Sequence, residues 1–166
     1  MTIMARTTWA VGLLLAGLVI SPLAAQTVVK KDRHAGYYYP APQTVEEYVA
    51  RAVTLKDSDR ARRMRFVTQL TKELLSKPYP PQFVVFAKGS DAEKMIIVGL
   101  YDNGYNTLYR ARALLAELSA VARLSPIFKE YGVESVFTFF DLLKLLGFTK
   151  LTISDGDRFA HQVLIR

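Results

Sequence analysis

The segment Met95-Ile96-Ile97-Val98-Gly99-Leu100-Tyr101 is apolar on both alternations of a strand. Such a strand has no face to offer to water. It demands either a central place covered on both sides, or helices on one side and a partner surface on the other. Just upstream, Gln82-Phe83-Val84-Val85-Phe86-Ala87 is a second β-branched and aromatic run, and the polar link from Lys88 to Lys94 makes the two a hairpin. Asp102-Asn103-Gly104 supplies turn chemistry after it. The chain closes on a second hairpin, Thr149 to Ile153 and Phe159 to Ile165, around Asp155-Gly156-Asp157. Collecting its apolar residues on one side sets the register: pairing centred on Gly156 puts Ile153 opposite Phe159 and Leu151 opposite His161.

Helical signals surround the hairpins. Thr44-Val45-Glu46-Glu47 has the spacing of a capping box, and Val45, Tyr48, Val49, Ala52 and Val53 follow at helical intervals, which predicts a short helix to about Leu55. Asp57-Ser58-Asp59 restarts a second helix whose apolar positions are Met64, Val67, Leu70, Leu74 and Leu75; Lys77-Pro78-Tyr79-Pro80-Pro81 ends it. Asn106 caps a long helix from Thr107 to Leu124, and Ser125-Pro126 opens a further turn closed by Gly132. Thr138-Phe139-Phe140-Asp141 begins a helix that is apolar nearly all round, therefore buried, and ended by Gly147. Hairpins alternating with helices argue against a parallel doubly wound sheet. They predict an α+β fold, a mostly antiparallel four-stranded sheet built from two hairpins with helices packed on it.

The N-terminus reads as an address. Arg6 precedes a run from Trp9 to Ile20 without a charged or strongly polar residue, and Ser21-Pro22 then breaks it before Leu23-Ala24-Ala25. This is the pattern of a cleaved secretory signal over residues 1–25, and the run falls short of the ~20 apolar residues of a spanning helix. Residues 26–43 then form an extended Tyr/Pro leader, and residues 44–166 a single α+β domain. The expected location is periplasmic or secreted, with no transmembrane anchor once the signal is removed. The 166 residues contain no cysteine, which removes disulfides and Cys-ligated metal sites from consideration. Lys and Arg outnumber Asp and Glu by 22 to 15, so the protein is basic.

Few residues bear on chemistry. Tyr37-Tyr38-Tyr39-Pro40-Ala41-Pro42 favours extended geometry, either as an arm laid across the domain or as an aromatic patch for a glycan or a partner. Arg60, Arg62, Arg63 and Arg65 are the densest positive cluster. Arg60 and Arg63 fall one turn apart beside the apolar stripe, either as stems lying along the core edge or as two guanidiniums clamping an anion. His161 stands on the expected core face with Phe159 and Val163, the place of a hydrogen-bonded interior histidine; no nucleophile lies near it in sequence. Asp141 reads as an i, i+3 partner of Lys144 on the one wet edge of its helix, or as a general acid lacking a second placed carboxylate. Two histidines and no cysteine fall short of the three or four ligands that zinc takes. Asp155-Gly156-Asp157, flanked by strands, is a turn and not a calcium loop.

Read together, His34-Ala-Gly-Tyr-Tyr-Tyr-Pro-Ala-Pro-Gln-Thr44, Asp57-Ser-Asp-Arg-Ala-Arg-Arg63, Pro78-Tyr-Pro-Pro-Gln-Phe83 and Phe137-Thr-Phe-Phe-Asp-Leu-Leu-Lys-Leu-Leu-Gly-Phe148 resemble a family of small exported bacterial proteins of uncharacterised function. Members sometimes carry the label molybdopterin-guanine dinucleotide biosynthesis protein A. The enzyme of that name resembles a nucleotidyltransferase that opens on Leu-Ala-Gly-Gly, followed by Ser, Arg-Met-Gly and Lys to hold GTP. This chain has only Leu15-Ala16-Gly17, inside the signal, so the phosphate loop that such an activity needs is missing. The expectation is a soluble binding domain without catalysis, cofactor or metal. Its partner is an envelope protein or an anionic ligand and not nucleic acid, met through Tyr37, Tyr38, Tyr39, Arg60 and Arg63. The rival is an envelope hydrolase using His161 or Asp141.

Overall fold

The computed structural model describes residues 39–101 and 104–166, which belong to a compact unit spanning Lys31–Arg166. In chain order the elements are β1 (Thr44–Tyr48), α1 (Arg60–Leu75), β2 (Phe83–Lys88), β3 (Lys94–Gly99), α2 (Leu108–Arg123), α3 (Pro126–Tyr131), α4 (Phe139–Leu145), β4 (Lys150–Ser154) and β5 (Ala160–Ile165). They form one five-stranded sheet in the order β1-β5-β4-β3-β2. The doubly apolar segment is interior, as its composition requires. Met95 and Ile97 point into the main core beneath the helices, and Ile96 points to a smaller cluster with Tyr39 and Ala160 on the opposite face.

The fold is α+β, but the sheet differs from the four-stranded, mostly antiparallel expectation in two ways. The β2–β3 and β4–β5 ladders are antiparallel, whereas β3–β4 and β1–β5 are parallel. The chain leaving β3 passes through α2, α3 and α4 before it returns, so β4 re-enters beside β3 in the same direction and welds the two hairpins into one sheet.

The second correction concerns Thr44–Tyr48, a strand and not the start of a helix. Thr44, Glu46 and Tyr48 turn inward and are half-buried, while Val45 and Glu47 face out. The inward side chains are polar because polar groups await them, so the segment shows no apolar period of two. Pairing with β5 outweighs its local helical propensity.

The last hairpin also corrects the expected register. Ile153 faces His161 and Leu151 faces Val163, one pair displaced from the pairing centred on Gly156, with every side chain still on its expected face. Asp155 causes the shift. Its Oδ1 accepts from the amides of Asp157, Arg158 and Phe159, which closes a loop longer than an apolar-pairing argument provides. These amides overcome the effect of burial and hold the Asp155 carboxyl below the usual carboxylate range.

Local punctuation works as read in α3 and α4. Ser125 caps Pro126–Tyr131 and Gly132 ends it with φ +63°. Phe128 is fully buried and meets Phe137 edge to face, with ring centroids 5.6 Å apart. In α1 the inward face is rotated from the expected one: Met64 and Leu75 are exposed, and Arg63, Val67, Leu70 and Leu74 turn inward.

Of the leader, residues 39–43 belong to the folded body. Tyr39 is 3% exposed, and Gln43 is fastened to the start of β5 by its backbone N–H on Ala160 O (3.0 Å) and its Oε1 on Ala160 N (2.9 Å). Residues 1–25, expected to be a secretory signal, and Tyr37 and Tyr38 lie outside the described residues. Among the described residues no helix is long and apolar enough to cross a membrane.

Candidate functional site: an aromatic dish at the foot of the first hairpin

The described residues among those singled out from sequence do not come together at one site. His161, on β5, is buried between β1 and the helices. Its Nδ1 lies 2.8 Å from Thr44 Oγ1, and its Nε2 is buried without a hydrogen-bond partner, 3.9 Å from Glu46 Oε2. Glu46 is in turn ion-paired with Arg112 of α2. Burial pushes the His161 ring below the ordinary histidine value; Glu46 opposes that and Arg112 reinforces it. The ring is therefore neutral at pH 7, and its contribution to stability is full above the ordinary value of 6.5 and lost as pH falls. A melting temperature that declines from about pH 7 to about pH 5, and declines less in His161→Gln, is expected; equal slopes would refute the assignment.

Asp141 is entirely buried and not on a wet edge. Its Oδ1 accepts from Arg51 N (2.7 Å), and its Oδ2 from Thr138 N (2.8 Å), Thr138 Oγ1 (3.0 Å) and Tyr48 OH (3.1 Å). Burial alone would raise this carboxyl, but the amides of Thr138 and Arg51 and the two hydroxyls outweigh it and hold it below the usual carboxylate range. Tyr48 also stacks on Phe140 at 4.6 Å. Thus β1 serves two distinct polar networks, His161 through Thr44 and Asp141 through Tyr48. Neither residue lines either of the concavities described below.

The Arg60/Arg63 pair is divided. Arg63 is 7% exposed; its Nε donates to Asp91 O (2.8 Å) and its Nη1 to Leu146 O (3.2 Å) and Ser58 Oγ (3.4 Å). Arg60 stays on the surface. A clamp needs both heads at one open edge, and Arg63 is committed to backbone carbonyls instead. Tyr39, the described member of the tyrosine leader, is buried.

Among the described residues two open concavities stand out. One, of about 320 Å³, runs between α1 and α2 over α4 and is lined chiefly by Phe66, Leu70, Leu118, Val121, Phe139 and Leu142. The other, of about 500 Å³, is a dish of Tyr79, Pro80, Gln82, Tyr101, Gly104 and Tyr105. Hairpin pairing builds the dish. Leu100 N donates to Gln82 O (2.9 Å) one step before the β2–β3 ladder begins, so the chain entering β2 and the chain leaving β3 stay side by side. That places Tyr79 and Tyr101 on one rim.

Tyr105 forms the floor. It packs edge-on to Phe83 at 6.1 Å and lies over Gly99, where an added Cβ would come within 2.9 Å of its ring. Gly99 is thus what lets the ring settle against β3. Burial, reinforced by Glu117, raises the Tyr105 hydroxyl, which keeps its proton. Tyr79 and Tyr101 are 57% and 52% exposed, and the Lys77 ammonium sits 5.8 Å from the Tyr79 ring centroid. A cation over an exposed ring helps hold its plane.

Comparison with protein-family models, with curated proteins and with solved structures finds no match. The dish was missed in the sequence because Pro78-Tyr79-Pro80-Pro81 reads as a helix stop and Asp102-Asn103-Gly104 as a turn. The signal was present all the same: extending the hairpin pairing past its first residues sets the two tyrosine-bearing flanks together.

Proposed function

We propose that this chain is an exported soluble binding domain of the bacterial cell envelope, without catalysis, which engages its partner through the aromatic dish. One observation carries this reading. Two tyrosines more than half exposed and one forming the floor converge with a carboxamide in an open concavity, an arrangement that contributes little to folding and suits a ligand. The net charge of +7, reduced by one when Arg6 leaves with the signal, draws the domain toward acidic envelope surfaces. Arg60 belongs to that long-range attraction and the dish to recognition.

The hydrolase alternative has the Thr44–His161–Glu46 chain in its favour. Against it, the His161 side chain has no exposed surface, whereas a general base must reach the proton it takes. Asp141, held ionised by four donors, has the reverse of the shift that a general acid needs.

The full-length chain with a C-terminal tag, expressed in a Gram-negative host, tests the reading. The processed protein is expected to begin near Gln26 and to sediment with the cell envelope. Tyr79→Ala with Tyr101→Ala is expected to shift at least about tenfold more of it into the soluble periplasmic fraction, whereas His161→Gln leaves the distribution unchanged. An unprocessed chain in the cytosol, or tyrosine variants that sediment like the parent, would overturn the proposal.

A further inference from the structure

We infer that the slot between α1 and α2 is the contact face of a symmetric pair, and that its occupant is a second copy of this chain. α1 packs on β2 and α2 packs on α4, which leaves a slot between the two helices with α4 as its floor. Phe66 and Leu70 form one wall and Leu118 the other, over Phe139 and Leu142. Val121 and Leu124, at the C-terminal end of α2, are more than half exposed on the lip of this slot. Single exposed apolar side chains are ordinary, but two of them beside an open apolar recess mark an interaction surface.

The patch carries its own complement. An isologous two-fold contact needs a projection and a recess on one surface, since each copy must supply both. Here the projection is Leu124 with Val121, and the recess is the slot beside them. The charges follow the same arrangement. Glu73 stands on the α1 wall, its Oε1 accepting from Gln69 Nε2 (3.1 Å), and Arg123 ends α2 next to Leu124. Both are exposed, and neither forms an ion pair among the described residues. A two-fold axis running along the slot turns the α2 wall of one copy to the α1 wall of the other. That sets Leu124 over Phe66 and Leu70 and brings Arg123 toward Glu73, twice in each pair. A small apolar molecule would fill the recess but leave the opposite charges unused. The pair forms independently of the aromatic dish and carries two of them, which raises avidity for a ligand repeated at matching spacing.

Sedimentation equilibrium of the C-terminally tagged chain, purified from the Gram-negative host, tests the pairing between about 1 and about 300 μM. A monomer–dimer equilibrium with a Kd of about 10–100 μM is expected. Leu124→Glu is expected to weaken it at least about thirtyfold. Glu73→Lys and Arg123→Glu are each expected to weaken it about fivefold, by setting like charges opposite each other. Mixing these two charge variants in equal amounts is expected to restore pairing to within about threefold of the parent, because a mixed pair regains opposite charges at both contacts. All three side chains are exposed, so the variants melt with the parent and lost pairing reports on the contact.

A chain that stays monomeric at about 300 μM, a dimer indifferent to Leu124→Glu, or charge variants that mixing does not rescue would each overturn the pairing. So would a monomer that binds palmitate and loses it in Leu124→Glu, which would give the slot to an acyl chain.

Discussion

Replacing Asp141 by Ala is expected to lower stability by about 4 kcal/mol, or roughly 12 °C in Tm for a chain of this size. The substitution strands two backbone amides, of Thr138 and Arg51, and leaves the hydroxyls of Thr138 and Tyr48, 3.0 Å apart, with only each other to bond, around a fully buried site. Each such donor costs about 1–3 kcal/mol when nothing replaces its acceptor, and partial rescue by water keeps the sum near the lower bound. Asp141→Asn is close in shape, yet its NH₂ meets at least one donor head-on, so it recovers only part of the loss. The pH dependence has a definite sign. The folded carboxyl titrates below its unfolded value, so its stabilisation is present above the usual carboxylate range and fades as pH drops through the folded pKa. Chemical denaturation of wild type and Asp141→Asn from about pH 7 down to about pH 2 checks this: the two curves should converge in acid, and curves that stay parallel would show that Asp141 is not the titrating group.

The second large effect lies at Arg63 and Gly147. Arg63→Ala removes a guanidinium that satisfies Asp91 O, Leu146 O and Ser58 Oγ, at an expected cost of about 3 kcal/mol. Arg63→Lys should recover only a fraction, because an ammonium is a point charge and cannot span acceptors held in a fork. Gly147 ends α4 at φ +79°, and an added Cβ would lie 2.5 Å from Arg63 Nη1 and 2.6 Å from Ser58 Oγ. Gly147→Ala therefore costs about 1–2 kcal/mol for the left-handed backbone and a further amount for displacing the guanidinium. The two changes are coupled. In the Arg63→Ala background one clash is already gone, so Gly147→Ala should cost about 1 kcal/mol less than in the parent. Urea melts of the four-member cycle measure this directly, and strict additivity would show that the two residues do not share the site.

Legibility in the sequence divides along a physical line. The β2–β3 hairpin, the buried centre of β3 and the stops at Gly132 and Gly147 were readable because each is written in adjacent residues as turn chemistry or local apolar pattern. The strand β1 was not readable. In Thr44-Val45-Glu46-Glu47-Tyr48 a capping-box spacing coincides with a strand whose inward residues are polar, and only the partners His161, Arg112 and Asp141, all distant in the chain, decide between the two. Arg63 was concealed by the ordinary preference of arginine for water, which fails where three acceptors are waiting. The fold class survived these errors because it depends on alternating hairpins and helices, whereas strand count and direction depend on where the crossover returns. For the candidate site, each tyrosine was visible on its own, and their convergence is a property of hairpin pairing.

The first strand of the sheet can be laid down only against the last. Thr44 meets His161 across 117 residues of chain, and Arg51 N, just beyond β1, closes the carboxylate cage at Asp141. While the polypeptide is being synthesised, β1 has no ladder and both buried polar networks stand open. Closure over such a span is slow and comes late, since the entropy of the intervening loop is lost before the ladder rewards it. A nascent chain built this way stays slack until its C-terminal strand emerges.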